Sequence, residues 1–276
     1  MRAIITRMIA IMERAAREAG KTLRTYFHDS ELSIRDKTSH HDIVTKADVE
    51  SQQIIKDIIT KSLLDQNIPE EEIGFIGEEN LIQKGVHTFV IDPVDGTSNF
   101  ATGSPDYCTL IAYFKNGVLT SGIIYIPETD VCYSAEIGKG ANVHKNGESK
   151  PMVMVKKELK NTFLYTSVSY QDDIERGIHQ KLVQFLPLFR AIRMSGCAGT
   201  EFGLLAEHVA GAVILIGCSI WDIAPCKLIL NEIGYEMYDW EGNSVVFDLT
   251  NPKKKYPFIA CHPENKETLL TIANQS

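Results

Sequence analysis

The chain has 276 residues, 44% of them hydrophobic, enough to bury a substantial core as one large domain or two closely joined halves. Its formal charge is −8 and no basic run offsets it, which argues against nucleic acid as a partner. The six cysteines, Cys108, Cys132, Cys197, Cys218, Cys226 and Cys261, show neither paired zinc spacing nor a short disulfide framework, and fit a reducing, cytoplasmic setting.

The first residues, Met1 to Met12, are apolar but interrupted by Arg7 and followed by Glu13, which spoils a signal-peptide core. No segment approaches membrane-spanning length, so no membrane partner is expected. Ile4, Ile5, Met8, Ile11, Met12, Ala15, Ala19 and Leu23 recur at three and four, the mark of an amphipathic helix. Lys37 to Asp42 has no periodicity and reads as a loop, with His40 and His41 solvated rather than metal-bound. Thr45-Lys46-Ala47-Asp48 opens a second helix whose buried stripe is Ile54, Ile55, Ile58, Ile59 and Leu63, and Asp48 fits a capping box there. After the apolar Ile73 to Ile76 comes Gly77-Glu78-Glu79-Asn80, whose acids suit either loop solvation or a further supply of ligands.

The stretch that organises the chain is Ile91-Asp92-Pro93-Val94-Asp95-Gly96-Thr97-Ser98-Asn99-Phe100, which closes Phe89-Val90-Ile91 with two carboxylates three residues apart. Pro93 cannot donate to a sheet ladder and Gly96 permits a tight backbone, so the strand is expected to stop near Asp92 and turn. Two acids this close are costly to bury unless a proton or cation intervenes, and Mg²⁺, which takes a few oxygens and keeps several waters, is the simplest remedy. If Gly96 and Thr97 open a helix, their amides face a phosphate with the positive end of the dipole. The same residues also suit an acidic turn that caps a helix.

Cys108 to Phe114 and Val118 to Ile126 flank Lys115-Asn116-Gly117, a hairpin signal, and Val131 to Glu136 continues the meander. The first half therefore reads as two helices on an antiparallel sheet. Beyond Pro151 the pattern alternates: strand Phe163 to Val168, helix Asp173 to Phe185, strand Ala191 to Met194, helix Glu201 to Ala210, strand Ala212 to Ile216, helix Asp222 to Ile233. Strands near Tyr235 and Phe258 and a helix after Pro263 close the chain, which is layered α/β or α+β in class. Ile214 to Asp222 repeats the strand, turn and acid arrangement, although Asp222 is also a good helix-start residue and Pro225 fits a first turn.

Gly77-Glu78-Glu79, then Asp92-Pro93-Val94-Asp95-Gly96-Thr97 with Asn99-Phe100, then Trp221-Asp222-Ile223-Ala224 together resemble the inositol monophosphatase family of magnesium-dependent, lithium-sensitive phosphatases. Lys37, Asp42-Ile43-Val44-Thr45 to Asp48, and Ile192-Arg193-Met194-Ser195-Gly196 are also similar to family segments. The resemblance implies a layered αβαβα sandwich, here one unit over 1–276 with approximate halves 1–150 and 151–276, commonly a homodimer. It implies Glu78, Asp92 and the Val94 carbonyl as ligands of one Mg²⁺, Asp92, Asp95 and Asp222 as ligands of a second, and a weaker third ion at Glu78. Thr97, bonded to Asp48, and Glu78 are then expected to position and deprotonate the attacking water for in-line displacement, with amides of Gly96 and Thr97 on the phosphate. Arg193 is included with the substrate contacts on the strength of its family segment.

Two departures bear on substrate. Leu215 stands where inositol-specific members carry a Glu, which puts inositol specificity in question, and Leu215 also suits a strand core. Asp106 stands where the family more often has an apolar or aromatic residue and is either a substrate contact or a solvated turn acid. The expected activity is hydrolysis of a small phosphorylated metabolite. Same-superfamily alternatives are phosphatases of fructose bisphosphate, histidinol phosphate or 3′-phosphoadenosine nucleotides, and a different-class alternative is a catalytically silent metal- or phospholigand-binding protein.

Overall fold

Strand parity sorts the apolar residues of this chain into separate cores, and these set its layers. The computed structural model describes residues 2–28, 34–39, 42–167 and 178–274. Helix α1 (Arg2–Phe27) and helix α2 (Lys46–Leu64) bury Met8, Met12, Ala15, Ala16, Ala19, Ile55, Ile59 and Leu63 against one face of an eight-stranded sheet. The strands of that sheet are β3 (Ile73–Gly77), β4 (Leu81–Gln83), β5 (His87–Asp95), β6 (Cys108–Lys115), β7 (Val118–Ile126), β8 (Val131–Glu136), β9 (Ala141–Lys145) and β10 (Glu148–Pro151), in the order β10-β9-β8-β7-β6-β5-β3-β4. Phe89 and Ile91 of β5 face α1 and α2, whereas Val90 faces the opposite core.

That second core holds the helices α5 (Ala198–Ala206) and α6 (Ile220–Ile233), sandwiched between the large sheet and a five-stranded one. The smaller sheet is ordered β12-β11-β13-β15-β14, from β11 (Phe163–Thr166), β12 (Ala191–Arg193), β13 (Ala210–Cys218), β14 (Glu236–Tyr238) and β15 (Tyr256–Cys261). Val213 and Leu215 of β13 point into the shared core, and Ala212 and Ile214 point to a third core with Leu269 and Leu270 of α7 (Lys266–Ala273). A short helix α4 (Ile178–Gln184) lies on the same outer side, where Phe185 joins that core. The result is a layered α+β sandwich, helix, sheet, helix, sheet, helix. Among the described residues no helix is long and apolar enough to cross a membrane.

Several expectations are corrected. Lys37 to Asp42 is not a plain loop: β1 (Ile34–Ser39) pairs antiparallel with β2 (Asp42–Thr45), Ile34 opposite Thr45, so backbone pairing builds a hairpin where side-chain periodicity gives no signal. His40 and His41, Val168, the start of the helix expected from Asp173, and the side chains of Ile4, Ile5 and Lys37 lie outside the described residues. The large sheet is mixed, because β3 runs parallel to β5. Strand β5 does not stop near Asp92; it continues through Pro93 to Asp95, where the register against β6 shifts, and a proline is tolerated at such a bulge. The helix expected from Glu201 starts at Ala198 and ends at Ala206. Helix α6 starts at Ile220 after its cap Ser219, so Pro225 is not in the first turn but inside the helix, where it removes the bond to the Trp221 carbonyl. Gly122 of β7 leaves room for this turn, since a Cβ there would lie 2.8 Å from Pro225 Cα and 2.9 Å from its carbonyl oxygen.

Candidate active site

The parallel register of β3 and β5 sets Gly77 beside Ile91, and the Glu78 amide donates to the Ile91 carbonyl at 3.2 Å, so Glu78 leaves its strand next to Asp92. Asp92 shares the strand face of Val90, toward the layer of α5 and α6. Asp222 enters from that layer in the first turn of α6, where the chain forms a capping box and the Ser219 amide donates to Asp222 Oδ2 at 2.6 Å. The bulge then turns Asp95 onto the N-terminus of α5, where Oδ1 accepts from the Ala198 amide at 3.2 Å and Oδ2 from the Gly199 amide at 2.5 Å.

The electrostatics follow from this convergence. Burial pushes the Asp92 carboxyl well above its ordinary range, and the charges of Glu78, Asp95 and Asp222 push it further. Burial, then Glu78 and Asp95, raise Asp222 to about 8 against the opposing Ser219 amide. Asp95 is raised to about 6, burial outweighing its hydrogen bonds from Gly199, Cys197 and Ala198. Burial together with neighbouring charge raises Asp92 and Asp222, the condition that a hard divalent cation relieves, and Asp92, Asp95 and Asp222 with Glu78 beside them are the oxygens available to one.

Beside the carboxylates, α3 (Thr97–Thr102) opens after Gly96, whose φ of 86° is left-handed and where a Cβ would lie 2.9 Å from the Asp106 carbonyl oxygen. Thr97 Oγ1 lies 2.9 Å from the Val94 carbonyl and 3.2 Å from Asp48 Oδ1, and its single proton can serve one of them at a time. Asp48 is fully buried. Glu78, Asp92, Val94, Asp95, Gly96, Thr97, Asp48 and Asp222 are thus brought together.

The expected substrate contacts divide. Leu215 is 3% exposed, opposite Phe258 in the shared core, and the strand-core alternative describes it. Arg193 donates to the Ile192 carbonyl at 3.1 Å and stacks 4.6 Å over the Phe163 ring, rather than turning to the carboxylates. Asp106 is half-buried, with its carboxyl raised by burial and held down by Thr200, and its carbonyl accepts from Asn99 at 2.8 Å. Glu201 was missed: expected as the first residue of a helix, it folds back so that Oε1 accepts from Ser195 Oγ at 2.8 Å and the Ser195 amide at 3.2 Å. Burial raises it to about 8, and it fixes the turn that leads into the amides holding Asp95. No periodic pattern marks such a residue.

The fold and site define a layered α+β sandwich with acids converging beside its central helices, and the comparisons with known proteins say which class of protein that is. The model of the inositol monophosphatase family matches residues 5–276, and the chain belongs to that family, which makes it a phosphatase. It is 31% identical over 236 residues to Nus factor SuhB of Xylella fastidiosa, covering 85% of this chain and 82% of that one. It is also 31% identical over 210 residues to the fructose-1,6-bisphosphatase/inositol-1-monophosphatase of Thermotoga maritima, covering 76% of each. Among solved structures, the extragenic suppressor protein suhB of Bartonella henselae superposes with a TM-score of 0.84 at 26% identity, covering 98% of this chain and 99% of that one.

Proposed function

We propose that this chain is a Mg²⁺-dependent phosphomonoesterase that hydrolyses a small phosphorylated metabolite, with Glu78, Asp92, Asp95, Asp222 and the Val94 carbonyl as the residues that hold two or three ions. The observation that carries this reading is the convergence of Glu78, Asp92, Asp95 and Asp222, where the charges of Glu78 and Asp95 add to burial in raising both Asp92 and Asp222. When bound, Mg²⁺ supplies charge neutralisation at the phosphoryl oxygens and the leaving alkoxide and makes a coordinated water acidic enough to attack in line. The chain's own residues do the positioning. Asp48 orients the Thr97 hydroxyl, Thr97 and Glu78 accept and align the attacking water, and the Gly96 and Thr97 amides donate to the phosphoryl group.

The rim reads the rest of the substrate, and Leu215, being core, supplies it no polar group. Fructose bisphosphate, histidinol phosphate and 3′-phosphoadenosine nucleotides therefore stand beside inositol monophosphate as candidates. Lithium sensitivity belongs to the same reading, because a compact carboxylate set around one ion favours a small competing cation. The six free cysteines support a cytoplasmic, reducing setting. A homodimer is proposed from the family resemblance, and light scattering in solution tests it.

The decisive experiment is phosphate release from a panel of small phosphomonoesters, with Mg²⁺ and with chelator. Turnover is expected with Mg²⁺ alone, and Asp95→Asn and Asp222→Asn should each lower it by roughly 10²-fold or more while leaving the fold intact. Retained turnover in both variants overturns the ligand assignment. No turnover on any ester, with Mg²⁺ bound, favours instead the silent phospholigand-binding protein. Lithium and sodium chloride at equal ionic strength should inhibit unequally, lithium the more strongly.

A further inference from the structure

Asp95 has a second face. Its Oδ2 lies 3.3 Å from Cys197 Sγ and 3.5 Å from Cys108 Sγ, and the two sulfurs are 3.7 Å apart. These three donors are close enough to share one ion. A tetrahedral ion with bonds of about 2.3 Å to sulfur and about 2.0–2.2 Å to oxygen separates two sulfurs by about 3.8 Å and sulfur from oxygen by about 3.5 Å. The triangle in this protein thus has the edge lengths of one face of such a tetrahedron before any ion arrives.

The triangle is also built. Cys108 begins β6, opposite Asp95 across the register shift, and Cys197 is the N-cap of α5, so two separate elements deliver the sulfurs to one carboxylate. Gly199 makes the space: a Cβ there would press on Cys108 Sγ, lie 2.7 Å from Leu110 Cδ2 and come within 3.2 Å of Asp95 Oδ2. The Ala198 and Gly199 amides hold the carboxylate in place from the α5 side. Cys132, by contrast, is a buried thiol on the opposite face of the sheet beside Glu13, and among the described residues it joins no such group of three donors.

We propose that Cys108 Sγ, Cys197 Sγ and Asp95 Oδ2 form a binding site for a soft divalent cation of the zinc or cadmium type, and that filling it withdraws Asp95 from the oxygen-lined cluster. Coordination forms two metal–sulfur bonds and one metal–oxygen bond, releases the two thiol protons to solvent and transfers no electron. Three protein donors leave a fourth position for water or an anion. Sulfur selects the ion, because thiolate ligands favour zinc-type cations whereas carboxylate and carbonyl oxygens suit Mg²⁺. Asp95 therefore stands between two donor sets of opposite preference. The consequence for activity rests on the proposed function; the binding itself does not.

The test is titration of the reduced, metal-free full chain with Cd²⁺, followed by the ultraviolet thiolate-to-cadmium charge-transfer band and by proton release. The band should saturate at one ion per chain. Cys108→Ser and Cys197→Ser should each weaken binding by at least about tenfold, and Cys132→Ser should leave it unchanged. No band in the unmodified protein at one equivalent, or a band that survives in the Cys108→Ser/Cys197→Ser double variant, overturns the site. Zn²⁺ should then inhibit Mg²⁺-dependent phosphate release, with at least about tenfold less sensitivity in Cys197→Ser relative to that variant's own zinc-free rate. A band without inhibition overturns the sharing of Asp95, and a band in a protein with no phosphatase activity overturns the proposed function while leaving the thiol site standing.

Discussion

Glu201 illustrates how a single buried acid supports the site without joining it. Its Oε1 holds Ser195 while burial raises its pKa to about 8, so at neutral pH it is a protonated acid inside the fold. A folded-state pKa above the unfolded value contributes stability at low pH that is lost as pH rises through about 8. Glu201→Gln keeps the acceptor and cannot ionise, so its denaturation midpoint should stay close to that of the parent near neutral pH and vary less between about pH 6 and 9. Glu201→Ala leaves the Ser195 amide without this acceptor and should cost about 1–3 kcal/mol, read as a lower denaturant midpoint at unchanged slope. At Gly199, Ala should cost a comparable ~1–3 kcal/mol, since the new methyl meets Leu110 and the Cys108 sulfur rather than open space.

At the scale of elements, two contacts decide where the acids go. One is the parallel pairing of β3 with β5, which carries Glu78 to Asp92; the other is the seating of α6 on β7, which carries Asp222. The second depends on Gly122, because Pro225 presents rigid backbone there and not a flexible side chain. Gly122→Ala should lift the start of α6 away from the sheet, costing about 1–3 kcal/mol and raising the Mg²⁺ concentration needed for half-maximal phosphate release. A lower thermal midpoint with an unchanged Mg²⁺ requirement would disprove the link between this contact and Asp222. The helix α5 shows why its start escapes a pattern search: Cys197-Ala198-Gly199 carries no periodic signal and no capping side chain, and the helix begins there because its amides meet Asp95.

For the whole molecule, the raised acids make stability depend on pH and on metal together. Without metal, Asp95 titrates near 6 and Asp222 near 8 in the folded chain, and Asp92 is held protonated well above its ordinary range. The folded state therefore binds more protons than the unfolded one, and stability falls as pH rises through about 6 and then about 8. In chelator the thermal midpoint should drop between about pH 5 and 8.5. Added Mg²⁺ should restore it, with a larger gain at the alkaline end because the ion displaces fewer protons there. A midpoint that rises over this range in chelator, or a Mg²⁺ shift independent of pH, contradicts the carboxylate cluster.

Local chemistry alone determined a good deal. The three- and four-residue spacing of α1 and α2 declares helices because helical backbone bonds join residues of the same segment and the spacing sets one apolar face, and the Asn116-Gly117 turn declares the β6–β7 hairpin. The acids at 78, 92, 95 and 222 were legible as candidates from residue type and order. Their meeting was not, since it depends on which strand pairs with which and on which face each side chain leaves. The bulge that turns Asp95, the burial of Leu215, the backward fold of Glu201 and the sulfur triangle were decided only in the tertiary structure. Three of these depend on partners distant in sequence, Cys108 for the bulge, Phe258 for Leu215, and the elements that bring 108, 197 and 95 together, while Glu201 turns back on the nearby Ser195. A one-residue change in register sends a side chain to the opposite face of a sheet, and no local pattern records that choice.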